Sequence, residues 1–121
     1  MLGTTDAQSR PRLDTQVLAL AAMRCRPDAP RLGADELAAH AATLSQWSTA
    51  GDRLSREFAF RDYHETIAFV NAVAWIAHRE DHHPDLGVGY SRCTVTWWTH
   101  SASGITLNDV ICAAKIERLF A

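Results

Sequence analysis

Apolar side chains recur every three to four positions in three parts of the chain, and this period predicts amphipathic helices. The first helix is expected over residues 34–46 and the second, which carries the longest repeat, over residues 63–79. The third is expected to open near residue 106 and to continue to the end of the chain. The second and third helices both begin with the spacing of a capping box, in which polar side chains bind free backbone amides of the first turn.

Alternation of apolar and polar residues predicts strands in three places, at residues 54–60, 87–91 and 93–98. In the last of these, Trp97 and Trp98 face opposite sides, so one is expected in the core and the other at the surface or at a subunit contact. The order of strand, long helix, two strands and helix is typical of an α+β domain. We therefore predict a single domain with a four-stranded antiparallel sheet and about three helices packed on one face, the fourth strand not being assigned to a segment.

The first 32 residues lack this periodicity, and they contain three of the four prolines. We interpret residues 1–32 as an extension that is partly disordered or forms one short helix over residues 15–23. The domain proper is then expected over residues 33–121, and a chain of this size buries enough surface for one hydrophobic core.

Composition argues against several classes of function. Of the 121 residues 47% are hydrophobic, and the net charge of -2 gives no reason to expect nucleic acid or an anionic membrane as a partner. No apolar run approaches the roughly 18 residues of a membrane span. The three cysteines are an odd number without a CxxC pair, so a disulfide framework is not indicated and a cytoplasmic location is expected.

Candidate chemistry concentrates in the segment HREDHHPDL, residues 78–86, which holds three of the six histidines and a proline that turns the chain out of the preceding helix. Three interpretations are open. His78 and His82 have the spacing of two zinc ligands on one helix face, with His100 as a third, but the intervening glutamate is misplaced for a metalloprotease motif. Alternatively, they are surface residues that a helix C-terminus favours. In the third interpretation they act as general acids and bases, because imidazole has a pKa of about 6.5.

Acid–base chemistry also needs a carboxylate near the imidazoles, and the candidates are Asp81, Asp85 and Asp109. Asp109 equally fits a structural role, as the second half of a capping box with Thr106. No serine or cysteine stands in a recognisable nucleophile motif and no glycine-rich phosphate loop is present, so covalent catalysis is not indicated.

The segments EDHHPDL, TVTWWTH and GITLND, together with Tyr90, resemble the pterin-4a-carbinolamine dehydratases. That family has a His-His-Pro turn, an aromatic residue a few positions later, a strand ending in Thr-His or Ser-His, and a Gly-Leu-x-x-x-Asp segment that opens the last helix. The resemblance covers about residues 33–120. It implies the loss of water from 4a-hydroxytetrahydropterin to give quinonoid dihydropterin, which recycles the pterin cofactor of aromatic amino acid hydroxylation.

The resemblance also implies a role for individual residues. The three histidines of the family correspond to His82, His83 and His100, of which His82 and His100 are expected to exchange protons while His83 binds and orients the pterin. Substrate contacts are expected from five further residues, namely Pro84, Thr99, Asp109, Asp81 and Tyr90. Neither a metal nor a second cofactor is implied, and the chain is expected to form a homodimer or homotetramer through a sheet edge and helices.

One position departs from the family pattern. Many members have a glutamate four residues before the first histidine of the pair, where this chain has His78. Either Glu80 or Asp81 substitutes for that glutamate, or the rate differs. The departure keeps open a non-catalytic dimerisation module of the same fold, beside the enzyme and the histidine metal site.

Overall fold

The computed structural model describes residues 13–121, and the predicted partial disorder of the extension falls in part on residues 1–12, which lie outside this range. Four helices and three strands follow one another in the order α1 (Thr15–Ala21), α2 (Ala34–Thr43), β1 (Leu54–Ala59), α3 (Tyr63–Glu80), β2 (Asp85–Val88), β3 (Arg92–Trp97) and α4 (Leu107–Arg118). A short 3-10 turn, Ala50–Asp52, precedes β1, and another, His100–Ala102, follows β3.

The strands form one antiparallel sheet in the order β1-β3-β2, which confirms the α+β class. The prediction of four strands is wrong for the described part of the chain. Along the outer edge of β1 the preceding segment pairs only at one bridge, between Ser48 and Ser55. The segment cannot extend this pairing, because Trp47 turns into the core on one side and the Ala50–Asp52 turn follows on the other. The estimate of about three helices did not include α1, which lies where one short helix of the extension was predicted over residues 15–23.

Local signals place most element boundaries close to their predicted positions. The carboxylate of Asp62 accepts the backbone N–H of Glu65 at 2.9 Å and so caps α3, which ends one residue beyond the predicted range. β2 begins two residues earlier than predicted. Residues 89–91 form the turn into β3, which the Gly89 N–H closes by donating to the Arg92 carbonyl at 2.8 Å.

The core lies between one face of the sheet and the helices α3 and α4. From the central strand, Cys93, Val95 and Trp97 point into it and are completely buried. Trp98 lies beyond the strand and is partly exposed, so the two tryptophans separate as predicted. Helix α1 packs against α4, and its buried side chains belong to the same core. Within residues 13–121, no helix combines the length and apolarity that crossing a bilayer requires.

Candidate functional site

The histidine cluster lies in the turn that follows α3, rather than on the helix itself. The helix ends at Glu80, and Asp81 adopts a left-handed conformation with φ of 49° that redirects the chain. The expectation that His78 and His82 share a helix face is therefore wrong. His78 remains on the exposed surface of α3, where its ring contacts Trp75 at 5.6 Å between centroids.

His82 is directed inward and forms a hydrogen bond with Asp109 on the first turn of α4. Its Nε2 atom lies 2.6 Å from Asp109 Oδ1, and its ring stacks on that of Trp97 with an interplanar angle of 14°. The imidazole side chain is 14% exposed, whereas the carboxylate is completely buried. The stacking on Trp97 and the hydrogen bond to Asp109 together fix the plane and the rotation of the His82 ring.

Asp109 is held by hydrogen bonds on both oxygens. Its Oδ2 atom accepts the backbone N–H of Thr106 at 2.8 Å, which is the predicted capping interaction of α4, and the hydroxyl of Thr99 at 2.8 Å. The Thr106 hydroxyl lies 2.8 Å from that of Thr99 and completes the chain of donors. The same carboxylate thus caps a helix and orients His82.

This arrangement determines which nitrogen of His82 is available to a ligand. Because a carboxylate accepts hydrogen bonds and has no proton to donate, the imidazole donates to Asp109 Oδ1 through Nε2–H. The other ring nitrogen, Nδ1, is then the one that can accept or release a proton. A buried carboxylate that orients an imidazole in this way is a common component of acid–base sites.

His82 opens into a cleft of about 390 Å³, a size within the range of small-molecule sites. The end of α3 and the following turn, residues 79–82, form one side of the cleft. The chain between α1 and α2 contributes residues 24–29 to the lining, and we call this segment the strap. Thr99, Ser101 and Asn108 complete the lining.

The predicted site residues are brought together only in part. Asp81 and Thr99 line the cleft, and Asp109 lies behind His82. His83 and Pro84 follow His82 in the turn but do not belong to the lining of this cleft.

Tyr90 lies apart from the cleft as well. Its side chain is 69% exposed, and its ring stacks on Tyr63 with 6.3 Å between centroids. Its backbone carbonyl accepts the Thr66 hydroxyl at 2.9 Å. In this structure Tyr90 therefore connects the β2–β3 turn with the start of α3.

His100 is exposed and packs on Trp98, with 3.7 Å between the ring centroids. The Trp98 indole N–H donates to Asp85 Oδ2 at 3.1 Å, and the Arg53 guanidinium lies 3.5 Å from the indole centroid. These contacts fix the surface against which the imidazole rests. His100 itself is not part of the cleft lining, although its neighbours in sequence, Thr99 and Ser101, are. Within residues 13–121, no three His, Cys, Asp or Glu side chains are grouped so as to hold a metal ion.

The strap and the two side chains that fix it were not predicted from the sequence. Asn108 is almost fully buried, and its amide clamps the backbone of Arg26. Its Oδ1 accepts the Arg26 N–H at 3.0 Å, and its Nδ2 donates to the Arg26 carbonyl at 2.7 Å. The thiol of Cys25 lies 3.6 Å from that of Cys112, and this hydrogen bond together with burial raises the pKa of Cys112. The only sequence signal was the polar residue directly before Asp109, in a helix that is otherwise buried.

Glu80 is the second anchor of the strap, and its carboxylate contacts strap residues and Lys115 rather than a histidine of the turn. Its carboxylate accepts the Cys25 N–H at 2.7 Å, pairs with Arg24 at 2.9 Å and lies 3.7 Å from the Lys115 ammonium. Burial by itself raises the pKa of Glu80. The hydrogen bond from Cys25 and the charges of Lys115 and Arg24 outweigh burial and hold this pKa below its ordinary value.

Replacing Glu80 by glutamine is expected to lower the free energy of unfolding at pH 7 by about 1–3 kcal/mol, because charged hydrogen bonds are lost. Since the pKa is lower in the folded state, the contribution of the carboxylate is complete above its unfolded-state pKa and is lost as the pH falls through the folded-state pKa. Urea titrations of wild type and variant at several pH values should therefore converge in acid. The exposed Glu57–Arg92 pair supplies the control, and Glu57→Gln should change little. Equal stability of Glu80→Gln and wild type at pH 7 would contradict this assignment.

Comparison with known proteins places this geometry in a family. The family model for pterin 4 alpha carbinolamine dehydratase matches residues 30–119. A protein of Nitrosospira multiformis, named provisionally as a pterin-4-alpha-carbinolamine dehydratase, is 47% identical over 111 residues, which cover 89% of this chain and 98% of that protein. A protein of Chromobacterium violaceum with the same provisional name is 58% identical over 78 residues, 64% of this chain and 72% of that protein.

The solved structures agree with this result. A crystal structure described as a transcriptional coactivator/pterin dehydratase from Brucella melitensis matches with a TM-score of 0.71 and 30% identity. The match covers 75% of this chain and 99% of that chain. The family model spans most of the chain, including His82, His100 and Asp109. The chain belongs to the pterin 4 alpha carbinolamine dehydratase family.

Proposed function

We propose that this protein removes water from 4a-hydroxytetrahydropterin and gives quinonoid dihydropterin, with His82 as a general acid–base residue. The observation that carries the proposal is the hydrogen bond of 2.6 Å between His82 Nε2 and the buried carboxylate of Asp109, at the wall of a cleft large enough for a pterin. Family membership supports the reaction class, and the dyad supports the way in which the chain carries it out.

The reaction needs two proton transfers and no change of oxidation state. The bond between C4a and the hydroxyl oxygen breaks, and a proton delivered to that oxygen lets it leave as water. The proton on N5 is removed, and its electron pair forms the C4a–N5 double bond. Groups that exchange protons near neutral pH suffice for both transfers, and imidazole is the side chain best suited to them.

His82 meets the requirements for one of these transfers. Its Nδ1 can accept a proton while the Asp109 carboxylate, 2.6 Å from Nε2, stabilises the imidazolium that forms. His100 is proposed for the other transfer, since its backbone lies between two residues of the cleft lining and its ring rests on the anchored Trp98. His83 is proposed to bind and orient the pterin. Substrate contacts are proposed for Asp81 and Thr99 at the cleft, and, from the family resemblance alone, for Pro84 and Tyr90, which lie outside its lining.

The decisive experiment is the dehydration of chemically generated 4a-hydroxytetrahydropterin, followed by ultraviolet absorbance in the presence of a chelator. We expect wild type to accelerate the reaction well above its spontaneous rate, and the chelator to leave that rate unchanged. A rate equal to the spontaneous one would overturn the proposal and favour a non-catalytic module of this fold. A rate that falls with chelator and returns with zinc would favour a metal site.

We further propose that the chain forms a homodimer or homotetramer, and that it acts in the cytoplasm, as the odd number of cysteines suggests. In the described residues β2 pairs only with β3, so one row of its backbone groups is available to another copy. Val88 beside this edge and Trp75 on α3 are 45% and 59% exposed, which leaves apolar surface for a partner to cover. Light scattering tests the proposed assembly, and the mass of a single chain would contradict it.

A further inference from the structure

The strap forms a wall of the same cleft that His82 enters, and its position is fixed at several points. The Asn108 amide binds both backbone groups of Arg26, and the Glu80 carboxylate binds the Cys25 N–H. Both anchoring side chains are almost completely buried. Asn108 directly precedes Asp109, so one turn of α4 fixes the strap with one side chain and orients His82 with the next.

Beyond the clamp, the strap turns at Asp28. Its φ of 59° lies in the left-handed region, which costs energy for a residue with a Cβ and which aspartate tolerates better than most. Asp28 lines the cleft, and its carboxylate makes no hydrogen bond or ion pair within residues 13–121. Glu80, in contrast, is already occupied by Arg24 and Cys25. A fixed backbone therefore presents an uncommitted acceptor at the cleft that contains the proposed acid–base residue.

The charges around the cleft indicate the kind of ligand that suits this acceptor. Three arginines and three carboxylates belong to the lining, so their formal charges cancel. Such a lining suits a neutral heterocycle with hydrogen-bond donors better than it suits a phosphate or another anion. The 2-amino-4-oxo edge of a pterin presents two adjacent donors, the 2-amino group and N3–H. A carboxylate can accept both at once, as it does with the two N–H groups of a guanidinium.

We infer that Asp28 is a specificity-determining residue, whose carboxylate accepts the 2-amino and N3–H donors of the pterin from the strap side of the cleft. The inference rests on the proposed function for the identity of the ring. It adds a substrate contact from outside the matched family segment, which begins at residue 30. The strap then selects the amino-bearing ring, while His82 serves the reacting atoms C4a and N5.

The test compares equilibrium binding of two fluorescent ring systems, pterin and lumazine, which carries an oxo group in place of the 2-amino group. Wild type is expected to bind pterin about tenfold more tightly than lumazine, because a carboxylate facing an oxo group loses a charge-assisted hydrogen bond. Asp28→Asn should lose most of this preference, since an amide presents donors to the donors of pterin. Asparagine also tolerates the left-handed backbone, so the variant should keep the thermal midpoint of wild type.

Asp52→Asn is the matched control, because Asp52 has a similar φ of 58° but lies outside the cleft, in an exposed pair with Arg31. It should keep the wild-type preference for pterin. An unchanged preference in Asp28→Asn overturns the inference, and so does an equal loss of affinity for both rings, which a loosened strap would produce. Failure of wild type to bind pterin overturns it as well. Because binding is measured without turnover, absence of dehydration with an intact pterin preference would overturn the proposed reaction alone.

Discussion

Replacing His82 by alanine is expected to lower kcat for dehydration by about 10²- to 10⁴-fold, the range typical of a lost general acid or base. The substitution removes Nδ1, the only ring nitrogen that Asp109 leaves available for proton exchange. The measurement is the initial rate of absorbance change at saturating 4a-hydroxytetrahydropterin, corrected for the spontaneous reaction. KM should change much less than kcat, because the strap and the turn that line the cleft are retained.

His78→Ala is the matched control for this prediction. It removes an imidazole four residues earlier, from an exposed position on α3 against Trp75. Its kcat should stay close to that of wild type. If His82→Ala retained kcat within about threefold, or if His78→Ala lost as much activity, the dyad with Asp109 would not be the acid–base centre.

The parts of the site that the sequence predicted well are those that local signals specify. Asp62 marks the start of α3, and Pro84 requires the chain to leave the helix before it. The spacing of Thr106 and Asp109 predicted the capping interaction of α4, which the N–H of Thr106 makes at 2.8 Å. These signals depend on neighbours within four residues, so they can be recognised in the sequence without the tertiary structure.

The features that were missed depend on residues far apart in the chain. The contact of the Asn108 amide with Arg26 joins positions 82 residues apart, and that of Glu80 with Cys25 joins positions 55 apart. Contacts between such distant residues leave no periodic pattern in the sequence. The prolines around the strap suggested an extension without a role. The hydrogen bond from His82 to Asp109 is also distant in sequence. Local patterns identified both residues but could not pair them, and only the family resemblance placed them in one site.

The incorrect prediction that His78 and His82 share one helix face has a different cause. Proline disfavours the helical conformation of the residue before it, which predicts a helix end near His83. The helix ends at Glu80, before His82, because Asp81 takes a left-handed conformation and its N–H caps the carbonyls of the last turn. His82 therefore lies beyond the helix and turns away from the surface stripe of α3, towards α4. The position of a helix end thus decides whether this imidazole is a surface residue or part of a site.

Replacing Asp109 by alanine is expected to lower the free energy of unfolding by about 3–5 kcal/mol, as when one partner of a buried hydrogen-bonded pair is removed. The change removes the cap of α4, worth about 1 kcal/mol, and deprives the Thr99 hydroxyl and the His82 ring of their acceptor. Urea unfolding followed by tryptophan fluorescence gives the difference. Asp62→Ala is the control, since Asp62 caps α3 at a half-exposed position with one such bond and should cost only about 1 kcal/mol. Similar losses for the two variants would mean that Asp109 is only a helix cap.

Replacing Asp109 by asparagine keeps the shape of the side chain, so this variant tests the orientation of His82 separately from the stability of the fold. The amide oxygen can still accept from Thr106 N–H and Thr99, which places the amide nitrogen opposite His82 Nε2. Two donors cannot share one hydrogen bond, so the imidazole must move its proton to Nδ1, which then no longer acts as a free base. We therefore expect a folded variant whose kcat falls by at least about 10²-fold. Wild-type kcat in a folded Asp109→Asn protein would show that the tautomer of His82 does not matter, and with it the proposed role of the dyad would fail.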